Sequence, residues 1–212
     1  YNYLESLKNI NYNQYIVEMD VHKVLGLKAL KRFRNIFEKK YDIDKTIYVF
    51  HIEEGEDGFE KLCKKYPYIA ISIPELRIVL KGKSNLNKVV TNLIRKANKI
   101  NPKIKIHLLG CTQQNLMMQK GYYSCDSTSW LSPGRWGRAL LFDGQKLVQV
   151  HSRNKEWLNY RERERDGIYN RAKDIPQNEY NLNVILSGKS YKQFNRYINN
   201  KYYNYEPLKI LK

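Results

Sequence analysis

The segment YIAISI, residues 68–73, carries no charged side chain, and its one small polar residue, Ser72, comes near the end. A half-exposed strand alternates apolar and polar side chains, whereas this one is apolar on both faces. Such a strand belongs inside a parallel sheet, with cover on each side. Working outward, the same kind of segment returns. YIVEMD (15–20) and TIYVFH (46–51) precede it, and KIKIHLLG (103–110) and YYSCD (122–126) follow. Between them lie stretches with helical spacing. HKVLGLKALKRFRNIFEKK places Val24, Leu25, Leu27, Leu30, Phe33, Ile36 and Phe37 on one face. A Gly/acid turn, EEGEDG, leads into a helix around 59–65. SNLNKVVTNLIRKANKI is amphipathic, with Ser84 or Asn85 as its N-cap, and residues 112–120 form a short helix.

Strand and helix in alternation predict an α/β fold with a parallel sheet, either an open doubly wound sheet or a (β/α) barrel. No G-x-G-x-x-G and no G-x-x-x-x-G-K-[ST] stands at a strand-to-helix turn, which weakens the nucleotide-cofactor forms of the open sheet. After Asp126 the rhythm changes. RALLFDGQKLVQV (138–150) reads as a hairpin around Asp-Gly, and KEWLNYRERERDGIYNRAK as a charged helix. NLNVILSGKSYKQFNRYINNKYYNY reads as a short strand, a Gly/Ser turn and a basic helix. Residues 1–138 are therefore expected to carry the site, with 139–212 as a hairpin and helical extension of the same domain.

The chain has 212 residues, 42% of them hydrophobic, enough for one substantial core. Its net charge of +17 points to a polyanionic partner, nucleic acid before a membrane surface. Part of that surplus fits a composition rich in Lys, Asn, Ile and Tyr. No apolar run approaches the roughly 20 residues that span a bilayer. Cys63, Cys111 and Cys125 are scattered without metal-ligand spacing, which argues against a disulfide framework and a structural zinc site. The expected setting is the cytoplasm, or the host cytoplasm if the gene is carried by a phage.

In a parallel α/β fold, functional groups gather beyond the C-terminal strand ends. Those ends carry Glu18 and Asp20, then His51, Glu53 and Glu54, then Ser72, then His107 and Gly110, then Asp126. Each also has an ordinary structural reading. Asp20 suits an N-cap, His51 and His107 suit core histidines with one satisfied nitrogen, and Asp126 suits a cap for residues 127–130.

The segment IHLLGCTQQNLMMQKGYYSCDSTSW resembles the tRNA-guanine transglycosylases, most nearly the phage and bacterial branch that inserts 7-deazaguanines into DNA. His107, Leu108 and Gly110 stand where that family has a His-Leu-x-Gly run. Cys125, Asp126, Ser127, Thr128, Ser129 and Trp130 stand where its next strand ends in an aspartate amid small hydroxyl residues. Gly134-Arg135 or Gly137-Arg138 then matches its Gly-Arg loop. The likeness covers roughly residues 14–138. It implies a TIM-type barrel, incomplete at its front, since five strands precede the hairpin where the family closes eight. Ile71-Ser72 replaces the family's Gly-Gly, its zinc cluster is absent, and its early Asp-Ser-Gly-Gly/Ala-Phe strand has no counterpart.

The resemblance implies a base exchange on guanine in nucleic acid, DNA favoured over tRNA, through a covalent aspartyl-glycosyl intermediate. Asp126 is then the nucleophile, oriented by Ser127, Thr128 and Ser129, and Asp20 reads the base edge. His51 and His107 are candidates for proton transfer, while Ser72, Gly110 and Trp130 line the base site. Lys28, Lys31, Arg32 and Arg34, with Arg135 and Arg138, hold phosphates, and Tyr122, Tyr123, Trp130 and Trp136 assist base flipping. No cofactor and no metal is expected. The partners are nucleic acid and a free 7-deazaguanine base, with room for a partner subunit or homodimer. Two other readings stay open: a non-catalytic nucleic-acid-binding barrel, and a metal-dependent TIM-barrel hydrolase using Asp20, His51, His107 and Asp126.

Overall fold

All five apolar segments form strands that pair in parallel in chain order: β1 (Ile16–Val17), β2 (Thr46–Phe50), β3 (Tyr68–Ser72), β4 (Lys105–Leu109) and β5 (Ser124–Cys125). The order contains no reversal. Right-handed crossovers that always advance in one direction put every connecting helix on the same face, as in a barrel wall and unlike a doubly wound sheet. The sheet is a curled half-barrel. The computed structural model describes residues 14–81, 85–111, 113–151, 153–171 and 173–203. It divides the chain into two compact units, Tyr1–Cys111 with Gly121–Asp126, and Thr112–Lys120 with Ser127–Lys212. Ser84 and the basic tail beyond residue 203 lie outside the described residues.

Register decides which side chains share a face of the first unit. Tyr48, Ile69 and Ile106 are in one row, and Phe50, Ile71 and Leu108 in the next. These rows face the helices: the Phe50 ring meets Phe59 edge-on at 4.8 Å, and Tyr48 stacks on Tyr66 at 3.6 Å. Phe59 belongs to α2 (Gly55–Lys65), which also buries Leu62 and Cys63. The opposite face buries a separate cluster of Ile47, Val49, Tyr68 and Ala70, joined by Val17 and Leu109. Both faces of YIAISI are thus covered, as its composition predicts.

The first helix, α1 (His22–Lys40), departs from its expected pattern. Gly26 adopts φ +77° inside it and breaks the helical phase. Leu30, Arg34 and Phe37 remain buried beyond the kink, but Val24 and Leu25 before it are exposed, Val24 at 86%. The turn buries His22 instead. Two helices have no counterpart in the sequence reading, the one after β3 and a short one at Ser132–Arg135. α3 (Ile73–Val79) starts directly on β3, capped by Ser72, whose Oγ accepts from the Glu75 N–H at 3.4 Å, and carries Pro in its first turn. Asn85 precedes α4 (Leu86–Ile100) without a side-chain cap bond.

In the second unit, the Asp-Gly hairpin forms as β6 (Arg138–Phe142) and β7 (Leu147–His151). The Asp143 carboxylate accepts from the N–H groups of Gln145 and Lys146, and Gly144 takes φ +101°. Two short helices precede it, α5 (Gln114–Met117) and α6 (Ser132–Arg135). The Gln114 amide pairs with both backbone groups of Leu147 at 2.7 and 2.9 Å, imitating a strand neighbour. The charged helix forms as α7 (Lys155–Arg171). The expected strand and Gly/Ser turn after it are instead one helix, α8 (Glu179–Ile198). Leu182, Leu186, Ser190, Phe194 and Ile198 recur at helical spacing and bury one stripe. Gly188 does not break it, and the Trp130 ring lies against its bare Cα. The unit's core joins Ala139, Trp157, Ile168, Tyr169, Leu182 and Leu186.

Candidate functional site

Two groups of polar side chains stand on the C-terminal edge of the half-barrel, at opposite ends of the strand row. The first is built on β4 and β5. His107 and Ser124 are register partners, so their side chains share the inner face of the sheet. The Ser124 Oγ lies 2.7 Å from His107 Nδ1 and 2.6 Å from the Tyr68 hydroxyl. Burial raises the Tyr68 phenol, which therefore keeps its proton. This network holds the ring through Nδ1, with donor and acceptor roles set by its tautomer, and leaves Nε2 on the opposite side of the ring. That Nε2 faces Asp126 Oδ1 at 3.5 Å.

Asp126 follows β5. Its Oδ1 accepts a 2.7 Å hydrogen bond from the Gly110 N–H, and its side chain is 60% exposed. Gly110 sits at φ +60°, and a Cβ there would lie 2.7 Å from Pro74 Cγ. Only glycine combines that backbone angle with that approach, and the result is an N–H presented to the carboxylate. The hydroxyl residues expected to orient Asp126 open the second unit. Ser127 donates to Ser129 at 3.0 Å, and Ser129 Oγ lies 3.2 Å from the Tyr191 hydroxyl. Thr128 is exposed. The donor on Asp126 is therefore the Gly110 N–H, in place of the serine cluster.

The second group surrounds two histidines. His22 and His51 stack with ring centroids 3.6 Å apart. Asp20 Oδ1 lies 2.6 Å from His22 Nδ1, and Glu75 stands behind both rings, 3.2 Å from His22 Nε2 and 3.5 Å from His51 Nδ1. Lys23 bridges Glu53 and Glu75. Asp20 is no helix cap; Val21 takes that position. Sequence reasoning misses both His22 and Glu75, although a histidine two residues past a strand-end aspartate and four before a glycine carries a signal.

A third cluster is structural. Arg34 donates to Glu18 at 2.7 Å, to Glu54 at 2.6 Å and to the Val49 carbonyl at 2.8 Å, all within the fold. Burial pushes the Glu18 carboxyl up to about 7 against the opposing Arg34 charge. Arg34 is thereby removed from the expected phosphate-binding set, because its charge is neutralised internally. Lys28, Lys31 and Arg32 are exposed at helical spacing on α1. Arg135, Arg138 and Trp136 are exposed in the second unit, Trp136 at 73%. Among the described residues, metal-compatible groups form at Asp20–His22–His51 and His22–Glu53–Glu75, and no such group unites His51 and Asp20 with His107 and Asp126.

Burial is the largest effect on both His51 and His107, and it holds each below 6.5. The neighbouring His22 adds to it at His51, and the Asp126 charge opposes it at His107. A histidine with a depressed folded pKa binds fewer protons folded than unfolded. Its contribution to stability is full above 6.5 and is lost as pH falls below that value through the folded pKa. Glu18 has the opposite sign between 4.5 and about 7. Comparing wild type with His107→Gln isolates the histidine. Between pH 7.5 and 5, wild type loses stability relative to the variant in denaturant titrations. Parallel pH curves would contradict the burial assignment.

Compared with family models, curated proteins and solved structures, the chain matches none of them. Among the described residues, no helix is long and apolar enough to cross a membrane.

Proposed function

We propose that this chain exchanges a guanine in nucleic acid, DNA in preference to tRNA, for a 7-deazaguanine, with Asp126 as the nucleophile of a TIM-type barrel to which the half-barrel belongs. One observation carries the reading. The Asp126 carboxylate is exposed at a strand end, held through Oδ1 by a fixed backbone donor, with an imidazole beside it. With Oδ1 held by the Gly110 N–H, Oδ2 is the oxygen assigned to attack on C1′.

The chemistry balances as two displacements at C1′. In the first, Asp126 bonds to C1′ as the C1′–N9 bond breaks, and the departing guanine takes a proton. In the second, the incoming base loses a proton and attacks C1′, and the ester to Asp126 breaks. One group that cycles between charged and neutral forms serves both steps. His107, with Nε2 3.5 Å from Asp126 Oδ1, is the titratable group beside the proposed nucleophile. Burial disfavours the His107 charge, so the ring rests mostly neutral; its protonated fraction is a strong acid toward the departing guanine, and the ring regains that proton from the incoming base. Ser124 and Tyr68 hold the ring in place from Nδ1.

C1′ is hidden in a duplex, so the substrate base is single-stranded or flipped out. The exposed row of Lys28, Lys31 and Arg32 suits phosphate contacts, as do Arg135 and Arg138. The test is incubation with guanine-containing DNA, or with tRNA, plus labelled guanine or 7-deazaguanine. Label is expected to enter DNA faster than tRNA. Incorporation into neither would overturn the proposal.

A further inference from the structure

We infer that Asp20, His22 and His51 form a binding site for a divalent transition-metal ion at the ends of β1 and β2, separate from the Asp126 site. The ligating atoms of these three residues lie within 4.8 Å of one another. The spacing alone would be compatible with an ordinary polar cluster. The decisive feature is His51. It is 1% exposed, and neither of its ring nitrogens makes a hydrogen bond. The buried His22 Nδ1 also lacks hydrogen-bond geometry, despite its closeness to Asp20. Buried polar atoms are nearly always satisfied, and two stacked imidazoles with open nitrogens beside one carboxylate are a conspicuous exception.

The surroundings supply a reason. Glu75 reaches around both rings, with one oxygen 3.2 Å from His22 Nε2 and the other 3.5 Å from His51 Nδ1. A carboxylate on the far nitrogen of a metal-bound histidine fixes the ring and its tautomer. With Glu75 on that side, His22 Nδ1 and His51 Nε2 are the nitrogens left for an ion, and Asp20 completes two nitrogens and one oxygen. Lys23 lies on Glu53 and Glu75, so its charge balances those carboxylates without covering Asp20. Two imidazoles and a carboxylate suit zinc, iron(II), manganese or cobalt, and a three-ligand set leaves positions open for water or substrate.

Three features of the chain bring these groups together. Asp20 ends the first apolar segment, the kink at Gly26 turns His22 inward, and His51 terminates β2. Nothing in base exchange requires the ion, so the two proposals stand or fall separately.

The test uses the whole chain, stripped with a chelator and titrated with Zn²⁺ in a calorimeter, with Co²⁺ as a spectroscopic substitute. Wild type is expected to bind one equivalent and to gain thermal stability. Asp20→Asn removes an exposed ligand and spares the buried rings, so it keeps the fold, checked by circular dichroism. It is expected to weaken Zn²⁺ by at least about tenfold, since loss of an outer-shell partner already costs roughly 10- to 100-fold and Asp20 is a direct ligand. Asp126→Asn is expected to leave Zn²⁺ binding unchanged. Absence of a stoichiometric ion in wild type overturns the inference. So does an Asp20→Asn variant weakened by less than about tenfold, since the ion would then sit elsewhere, for instance on a cysteine thiolate.

Discussion

Replacing Asp126 with asparagine is expected to abolish base exchange, by a factor on the order of 10⁴ to 10⁶, the range seen when members of a catalytic unit are removed. Asparagine keeps an oxygen to accept the Gly110 N–H, so the loop retains its geometry. The side chain is largely exposed, and surface substitutions usually change stability by less than about 0.5 kcal/mol. Lost turnover with an unchanged melting curve and unchanged DNA binding is the predicted pattern. A variant retaining more than about a tenth of wild-type activity would remove Asp126 from the chemistry. Loss of both binding and activity would point instead to a structural role at the end of β5.

The second large effect falls on stability. Arg34→Met is expected to cost about 3–5 kcal/mol, the usual result of removing one partner of a buried ion pair. Glu18 is fully buried and Glu54 nearly so, and both would lose their cationic partner at once. Glu18 would keep the Val49 N–H at 2.9 Å, which supports a single carboxylate oxygen. The neighbouring Arg32→Met, on an exposed position of the same helix, serves as control and is expected to stay within about 0.5 kcal/mol of wild type. Chemical denaturation measures both. Equal effects from the two substitutions would show that Arg34 is not the keystone of β1, β2 and α1.

The half-barrel is legible because its strands are apolar on both faces, a pattern with few physical solutions. YIAISI and TIYVFH announce burial on each side, and their order along the chain, broken by helices, leaves a parallel sheet as the outcome. What escapes is governed by local backbone exceptions. Gly26 resets the phase of α1, so the periodic row that includes Val24 and Leu25 ends in solvent and His22 enters the interior. Gly188 reads as a turn, yet the apolar stripe from Leu182 to Ile198 overrides its poor propensity.

The site divides in the same way. Asp126, His107 and Gly110 are marked by lying at strand ends, and the fold brings them together. Arg34 and Lys28 look equivalent as basic residues of one helix; helical phase turns one inward and the other outward. The relation of His22 to His51 depends on tertiary packing across β1 and β2, which no spacing along the chain expresses. Ser124 and Tyr68 belong together through cross-strand register, with β4 lying between their strands, so neither is conspicuous in sequence.

Base exchange by this route requires a carboxylate that becomes covalently attached to a sugar. Intact mass measurement under denaturing conditions, after incubation with a guanine-containing DNA oligonucleotide, reads that directly. The predicted result is a protein carrying the oligonucleotide less one guanine, with the added mass mapping to the peptide that contains Asp126 and disappearing in Asp126→Asn. Base exchange without any such adduct, or an adduct on another residue, would contradict it.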